Sequence, residues 1–569
     1  MTQDIDVLIL GAGVNGAGLF RDLCEQGVTC VIADKGDFGG GTSAAPSRLI
    51  HGGIKYLETG ELRLVAQSTL ERNLLLKNAP HLVRPLPTVI PIFSWLRGIP
   101  AALRTLFGST TAPRSRGAVL MKIGLAMYDF YGRRHRVMPR HQLWSRARAL
   151  REIPPLTPRI VAAGQYYDAT VTQPERLVWE LIADGLRANP ASRALNHTAI
   201  VGTDGDAVTL GTSQGPLALR PRIVVNAGGP WIDRINARLG APSTLIGGTK
   251  GSHILLDHPG LLAALKGRMI YFEADDGRIC LVFDYLGRAL VGSTDIRADD
   301  PDEVACEDAE IDYFIAALQG LLPGLQFDRG QIVYAYSGIR PLPASDGTAP
   351  GLISRDHSAP VAEPGGARRW PIISLVGGKW TTFRGFAEEV ADTVLARLGR
   401  ARRIGTQALP IGGGRDLPRV PAARQGWIAR VAAATGARPG RAALLLDRYG
   451  STAGPILTAE GPAPELLQDA PEYSLAEFDW LIRHESVVHL ADLVMRRSAI
   501  AVTGRLSGRD LDAIAGRCAA ALGWDSIRQA AELAQTEALL TRRHRLRLLA
   551  EAGPSPPPRA GLACADGPE

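Results

Sequence analysis

Residues 5–34 read IDVLILGAGVNGAGLFRDLCEQGVTCVIAD, and this stretch decides the fold. Residues 5–10 are a short β-branched, apolar run, which predicts a buried strand. Residues 18–25 read as a helix and residues 29–33 as a second strand, closed by Asp34. Between the first strand and the helix stand Gly11, Gly13 and Gly16, in the spacing GxGxxG. The first glycine permits the tight turn, the second lets a pyrophosphate approach the backbone, and the third lets helix and sheet pack closely. The helix start then offers N–H groups and the positive end of its dipole to phosphates. Asp34, about 20 residues on, is placed to accept bonds from ribose hydroxyls. Strand, helix, strand and acid in register predict a dinucleotide-binding βαβ unit at the start of an α/β chain.

The next segment separates FAD from NAD. A nicotinamide enzyme would continue in βα alternation, whereas residues 36–53 form a long loop, GDFGGGTSAAPSRLIHGG. Thr42, Ser43, Ser47 and Arg48 supply hydrogen-bond donors there, and Gly52 and Gly53 allow close backbone approach. Tightly held FAD is the expected cofactor.

Beyond this unit the chain divides. Its 569 residues exceed what one hydrophobic core supports, so two or three domains are expected. Residues 269–273, 278–284 and 289–292 are strand-like and separated by the turn signals AspAspGly and LeuGlyArg, predicting an antiparallel meander that can roof a site. From about residue 405, Ala, Leu and Arg recur at helical spacing over 427–433, 442–449, 475–484 and 487–495. The expected fold is therefore α/β: a Rossmann-type FAD-binding βαβ domain with an antiparallel-sheet substrate domain over residues 1–400, then a helical domain over 405–550. The tail, GPSPPPRAGLACADGPE from residue 553, is too poor in apolar residues to fold, so residues 551–569 are expected to be disordered.

Composition excludes several classes. Hydrophobic residues at 46% and charged residues at 21% are ordinary globular usage, which rules out disordered, collagen-like and coiled-coil chains. A formal net charge of +7 favours anionic partners. Aromatic and basic residues do not interleave as on single-strand platforms, so no nucleic acid is expected. Six scattered cysteines without CxxC suit a reducing compartment and offer no zinc spacing, so no metal is expected. The N-terminus lacks a basic region followed by an apolar run, and no 18-residue apolar stretch occurs, so neither signal peptide nor membrane-spanning helix is expected. Residues 97–140, however, hold nine Lys or Arg and one acid, Asp129, among apolar segments, a pattern that suits an anionic lipid surface. The basic run Arg542, Arg543, His544, Arg545 and Arg547 reads as a solvated helix end.

Motifs in order along residues 5–500 resemble those of the FAD-dependent, quinone-linked glycerol-3-phosphate dehydrogenases. They are LILGAGVNGAG, GTSAAPSRLIHGGIKYLE, RLVAQSTLERNLLLKNAPHLV, MKIGLAMYDFYG, NAGGPW, TKGSHILL, VGSTD, YSGIRPL and VGGKWTTFR, then LLLDRYGS, FDWLIRHE and ADLVMRRS. The resemblance implies oxidation of sn-glycerol 3-phosphate to dihydroxyacetone phosphate, with electrons passed to quinone. It also implies a place in the cytoplasm or, peripherally, on the cytoplasmic side of the inner membrane.

The resemblance further implies a site. His51, Lys55 and Tyr56 lie over the flavin and touch substrate, and His253, Arg340, Lys379 and Thr381 complete the pocket wall. The residue types suit the chemistry. A histidine removes the hydroxyl proton, with His51 and His253 both open as the base. Arg340 offers a planar fork for phosphate, and Lys55 or Lys379 adds a point charge. Gly377, Gly378 and the Thr381 region read as a loop entering a helix whose positive end can stabilise reduced flavin. Three departures bear on the substrate: Lys55 replaces the family's arginine, Thr172, Gln173 and Pro174 replace an acidic pair, and Trp380 is bulkier than the expected leucine. A four-carbon polyol phosphate therefore stays open as the native substrate. The sequence leaves the oligomeric state open.

Overall fold

The computed structural model describes residues 2–54, 61–96, 117–133, 137–274, 276–298, 300–344 and 356–549. Lys55, Tyr56, residues 97–116 and 134–136 of the basic stretch, and the tail 551–569 lie outside the described residues.

Strand Gln3–Leu10 is buried along its apolar half and pairs in parallel with Cys30–Ala33 on one side and Gly215–Asn226 on the other. Arg193–Leu195 and Ile372–Ser374 extend the parallel set outward. A strand buried on both faces needs a continuous apolar run, which is why the N-terminal stretch was legible. Helix Val14–Glu25 crosses between the first two strands and packs on helices Pro174–Ala188 and Phe383–Leu398.

The second sheet has ten strands, and nearly all its pairings are antiparallel. Met269–Glu273, Ile279–Tyr285 and Arg288–Gly292 form the expected meander. Ile246–Leu256 lies beside it and pairs along its whole length with Ile332–Pro343. This long pair forms the roof over the loop that follows the βαβ unit.

The C-terminal part is helical: Pro421–Thr435, Pro439–Tyr449, Ala453–Glu460, Leu475–His484, Gly508–Leu522 and Ser526–His544. Residues 487–495 differ from the expected plain helix. A short turn, Leu490–Asp492, capped by Asp492 accepting the N–H groups of Val488 and His489, runs into a π-helical turn, Leu493–Arg497, in which the Ser498 N–H reaches the Leu493 carbonyl at 3.0 Å. The basic run at 542–547 also differs in part from the expected solvated end. Its His544 is half-buried, stacked on Tyr334 at 4.7 Å, and donates Nδ1–H to the Ala335 carbonyl at 3.0 Å.

The helical part is fastened to the nucleotide-binding part by charge. Arg497 pairs with Asp37 at 2.7 Å, both side chains fully buried, and Arg176 pairs with Glu485 at 2.6 Å. Asp37, His197 and Asp492 are the one trio of potential metal ligands among the described residues. Arg496 bridges Asp37 and Asp492 at 2.7 and 2.9 Å, so these acids already have cationic partners within the chain.

Helix Ala118–Tyr131 has two unlike faces. Ala118, Met121, Leu125 and Tyr128 point inward and are buried, while Val119, Ile123, Met127 and Phe130 are exposed on the other side. Trp95 and Leu96 extend this outward apolar stripe, with Trp95 accepting the Val119 N–H through its carbonyl. No described helix is long and apolar enough to cross a membrane.

Candidate active site

The cofactor cradle begins at Gly11, where φ is +105° and a Cβ would stand 2.5 Å from the Ala227 carbonyl oxygen. Only glycine fits that turn. At Gly13 the nearest atom to a Cβ would be Ser43 Oγ, at 3.0 Å. Ser43 Oγ in turn accepts the Val14 N–H at 2.9 Å, so the 42–45 turn lies across the start of the helix. Thr42 donates to the Ile339 carbonyl at 2.6 Å, fixing the turn to the roof. Asp34 closes the second strand and accepts from the Ala12 and Gly36 N–H groups at 2.7 and 2.9 Å. Burial pushes its carboxyl pKa up, and these two bonds oppose the rise.

An orphaned atom tests the fit of a dinucleotide. Asn15, in the first turn of the helix, has a buried Oδ1 with no hydrogen-bond partner. Its amide lies against Gly378, where φ is +87° and a Cβ would be 3.3 Å from Asn15 Nδ2. Nothing in the sequence reading singled out Asn15, although a polar side chain beside the glycine fingerprint is the signal that could have found it. The helix start, the Ser43 turn, Asp34, Asn15 and Gly378 together fit FAD. The flavin would lie toward Gly378, where the loop runs through Lys379 into helix Phe383–Leu398.

The remaining residues form two walls. In the first, the His51 N–H donates to Thr381 Oγ1 at 3.2 Å, joining the 51–53 segment to the Gly378 loop. Lys379 is buried and donates to Ser68 Oγ at 3.1 Å. In the second wall, Arg340 on strand Ile332–Pro343 reaches Asp295 at 3.0 Å, Ser293 Oγ at 3.3 Å and the Thr294 carbonyl at 3.0 Å. Asp295 thus sits behind the guanidinium as an orienting group. His253, on the paired strand, is fully buried, stacked on Tyr336 at 4.9 Å, with Nε2 3.0 Å from Ser47 Oγ. Burial holds the His253 pKa well below the usual imidazole range, and the nearby Arg340 and Arg48 cations push it the same way.

Arg48, expected as a donor for the cofactor, makes a buried pair with Glu175 at 2.9 Å and stacks near Tyr285 and Tyr336, while its Nε has no hydrogen-bond partner within the chain. An arginine at φ +60° directed beneath the loop satisfies the buried acid and supports the roof.

Comparison with known proteins agrees with this geometry. Residues 6–392 match the family described as FAD dependent oxidoreductase, and residues 404–529 match the C-terminal domain of alpha-glycerophosphate oxidase. A glycerol-3-phosphate dehydrogenase of Synechocystis sp. is 32% identical, the match covering 90% of this chain and 91% of that protein. A D-erythritol 1-phosphate dehydrogenase of Brucella abortus is 31% identical over 68% of this chain and 72% of its own. The solved structure of the Bacillus halodurans glycerol-3-phosphate dehydrogenase complexed with FAD shares the fold at a TM-score of 0.69, with 20% identity and 95% of each chain covered. On the matched length, the fingerprint and the shared fold, the chain belongs to the family of FAD-dependent glycerol-3-phosphate dehydrogenases.

Proposed function

We propose that the protein oxidises sn-glycerol 3-phosphate to dihydroxyacetone phosphate and passes the electrons to a quinone at a membrane surface. The observation that carries the substrate reading is Arg340, oriented by Asp295, in the wall opposite the His51 segment. Asp295, Ser293 and the Thr294 carbonyl fix the plane of the guanidinium through Nη1 and Nη2, and a planar cation held in place suits a phosphate dianion. Lys379 adds positive charge from the other wall, and Lys55 and Tyr56 complete the substrate contacts.

FAD, when bound, supplies the hydride acceptor. The chain's own residues bind, orient and move the proton. His51, half-buried at the junction of the walls, takes the hydroxyl proton as the carbonyl forms. His253 is the weaker choice of base, because its depressed pKa favours the neutral ring but leaves it little affinity for a proton. It orients instead, through Ser47. The helix start after Thr381 would offer the positive end of its dipole to the negative charge of a reduced flavin.

Membrane attachment is supported by the outward stripe of helix Ala118–Tyr131 and by the basic residues around it in sequence. A quinone dissolved in lipid would meet the protein from that side. Anaerobic bleaching of the holoenzyme's flavin by a panel of polyols tests the substrate. sn-Glycerol 3-phosphate should bleach it rapidly and unphosphorylated glycerol should not. Faster bleaching by a tetritol phosphate would favour the second reading, which rests on Lys55, on the Thr172 to Pro174 departure and on the Brucella relative.

A further inference from the structure

The inward face of helix Ala118–Tyr131 reaches the active site through one residue. Tyr128 Oη accepts the Gly52 N–H at 2.8 Å and an Arg72 Nη1 hydrogen at 2.8 Å, and donates its own hydrogen to Asp168. Asp168 also accepts from Arg72 at 2.9 Å and from the Gly52 N–H at 3.2 Å. All three side chains are buried, and the phenol ring meets Tyr166 edge-on at 5.6 Å. Burial raises the Tyr128 pKa well above the usual phenol range, so its proton stays in place as the donor to Asp168. The fit leaves no spare room. A Cβ at Gly52 would stand 2.4 Å from both Tyr128 Oη and Thr69 Cγ2.

Consecutive N–H groups are thereby held from opposite sides: His51 by Thr381 in the flavin-side loop, Gly52 by Tyr128 and Asp168 on the helix side. Fixing both peptide units fixes where the His51 Cα–Cβ bond points. We infer that Tyr128, backed by Asp168 and Arg72, is a positioning residue that sets the His51 imidazole for proton removal. The inference rests on His51 being the base. A phenol is the right group here because it accepts two hydrogens and donates one, which is the demand this junction makes. Phenylalanine keeps the ring packing and removes all three bonds.

Two measurements test the inference on the FAD-loaded enzyme. Tyr128→Phe should lower kcat about tenfold while changing KM less than threefold, because substrate binding is left to other residues. In a His51→Gln background the same change should have no further effect on kcat. Amide hydrogen exchange of the peptide spanning residues 49–54, read by mass spectrometry with and without FAD, should be faster in Tyr128→Phe, since the Gly52 N–H loses an acceptor. Arg72→Lys, which keeps a donor to the phenol, should fall between wild type and Tyr128→Phe in both readouts. Full kcat in Tyr128→Phe, additive losses in the double variant, or unchanged exchange at 49–54 would each overturn the positioning role. A His51→Gln variant with wild-type kcat would instead sink the assignment of His51 as base, and the exchange result would still report on the junction.

Discussion

Arg340 shows what a single side chain contributes here. Its guanidinium is about one-fifth exposed and is braced by Asp295, Ser293 and the Thr294 carbonyl. Losing a charge-assisted pair in a desolvated pocket costs about 2 to 5 kcal/mol. Arg340→Ala should therefore lower kcat/KM for the phosphorylated polyol by on the order of 10² or more, with little change toward the unphosphorylated one. Steady-state kinetics on both substrates checks this, and equal losses would mean that the phosphate sits elsewhere. The turn at Gly11, the helix start and the strand that Asp34 closes were legible in the sequence because they fall within one short stretch. Tyr128 was not, since Gly52 lies 76 residues away and Asp168 lies 40 residues away. The pairing of Leu49 and Ile50 with Thr170 and Ala169, and the packing of helix Ala118–Tyr131 on strand Ala162–Val171, bring them together. The pairing of Arg48 was not legible for the same reason: its partner, Glu175, is 127 residues distant.

Among the elements, helix Ala118–Tyr131 carries an exposed apolar stripe on its outer face. Ile123 and Phe130 are 53% and 55% exposed, an expensive arrangement for a surface that meets only water. Ile123→Glu with Phe130→Glu should leave folding intact and abolish most binding to anionic vesicles, measured by co-sedimentation. Undiminished binding would remove this helix from the membrane reading. The meander and several C-terminal helices were legible because their periodicity is local. The 487–495 segment was not, because the Asp492 side chain takes over backbone donors that a regular helix would leave to water. The last helix also ends on a contact that no local pattern announces. His544 is half-buried against Tyr334, and the loss of water around its ring depresses its pKa to about 4, the Ala335 carbonyl opposing the shift only in part. An unfolded histidine titrates near 6.5, so between pH 6.5 and about 4 the unfolded chain binds a proton that the folded one refuses. Stability falls as pH drops through that window, by up to about 3 kcal/mol from this group. Urea unfolding of the holoenzyme at stepped pH should show a shallower dependence in His544→Phe, which keeps the stack. Parallel curves would contradict the assignment.

At the scale of the whole molecule, the sheets, the roof and the helical part meet around residues 34–53. Asp34 closes the second strand and, in the proposed reading, holds the ribose. Three residues later, Asp37 is clamped by Arg497 and Arg496 from the helical part and accepts from Asn196. Burial alone would raise the Asp37 pKa, but Arg497 and Arg496 bring it below the usual carboxylate range, so the clamp stays charged across ordinary pH. One turn therefore serves two clients. Any coupling between nucleotide binding at Asp34 and the Arg497–Asp37 clamp acts equally in both directions. Cofactor removal should then loosen the C-terminal helices, read as faster limited proteolysis of the segment near residue 404 in protein stripped of FAD, and identical digestion with and without FAD would show that the turn does not link the two.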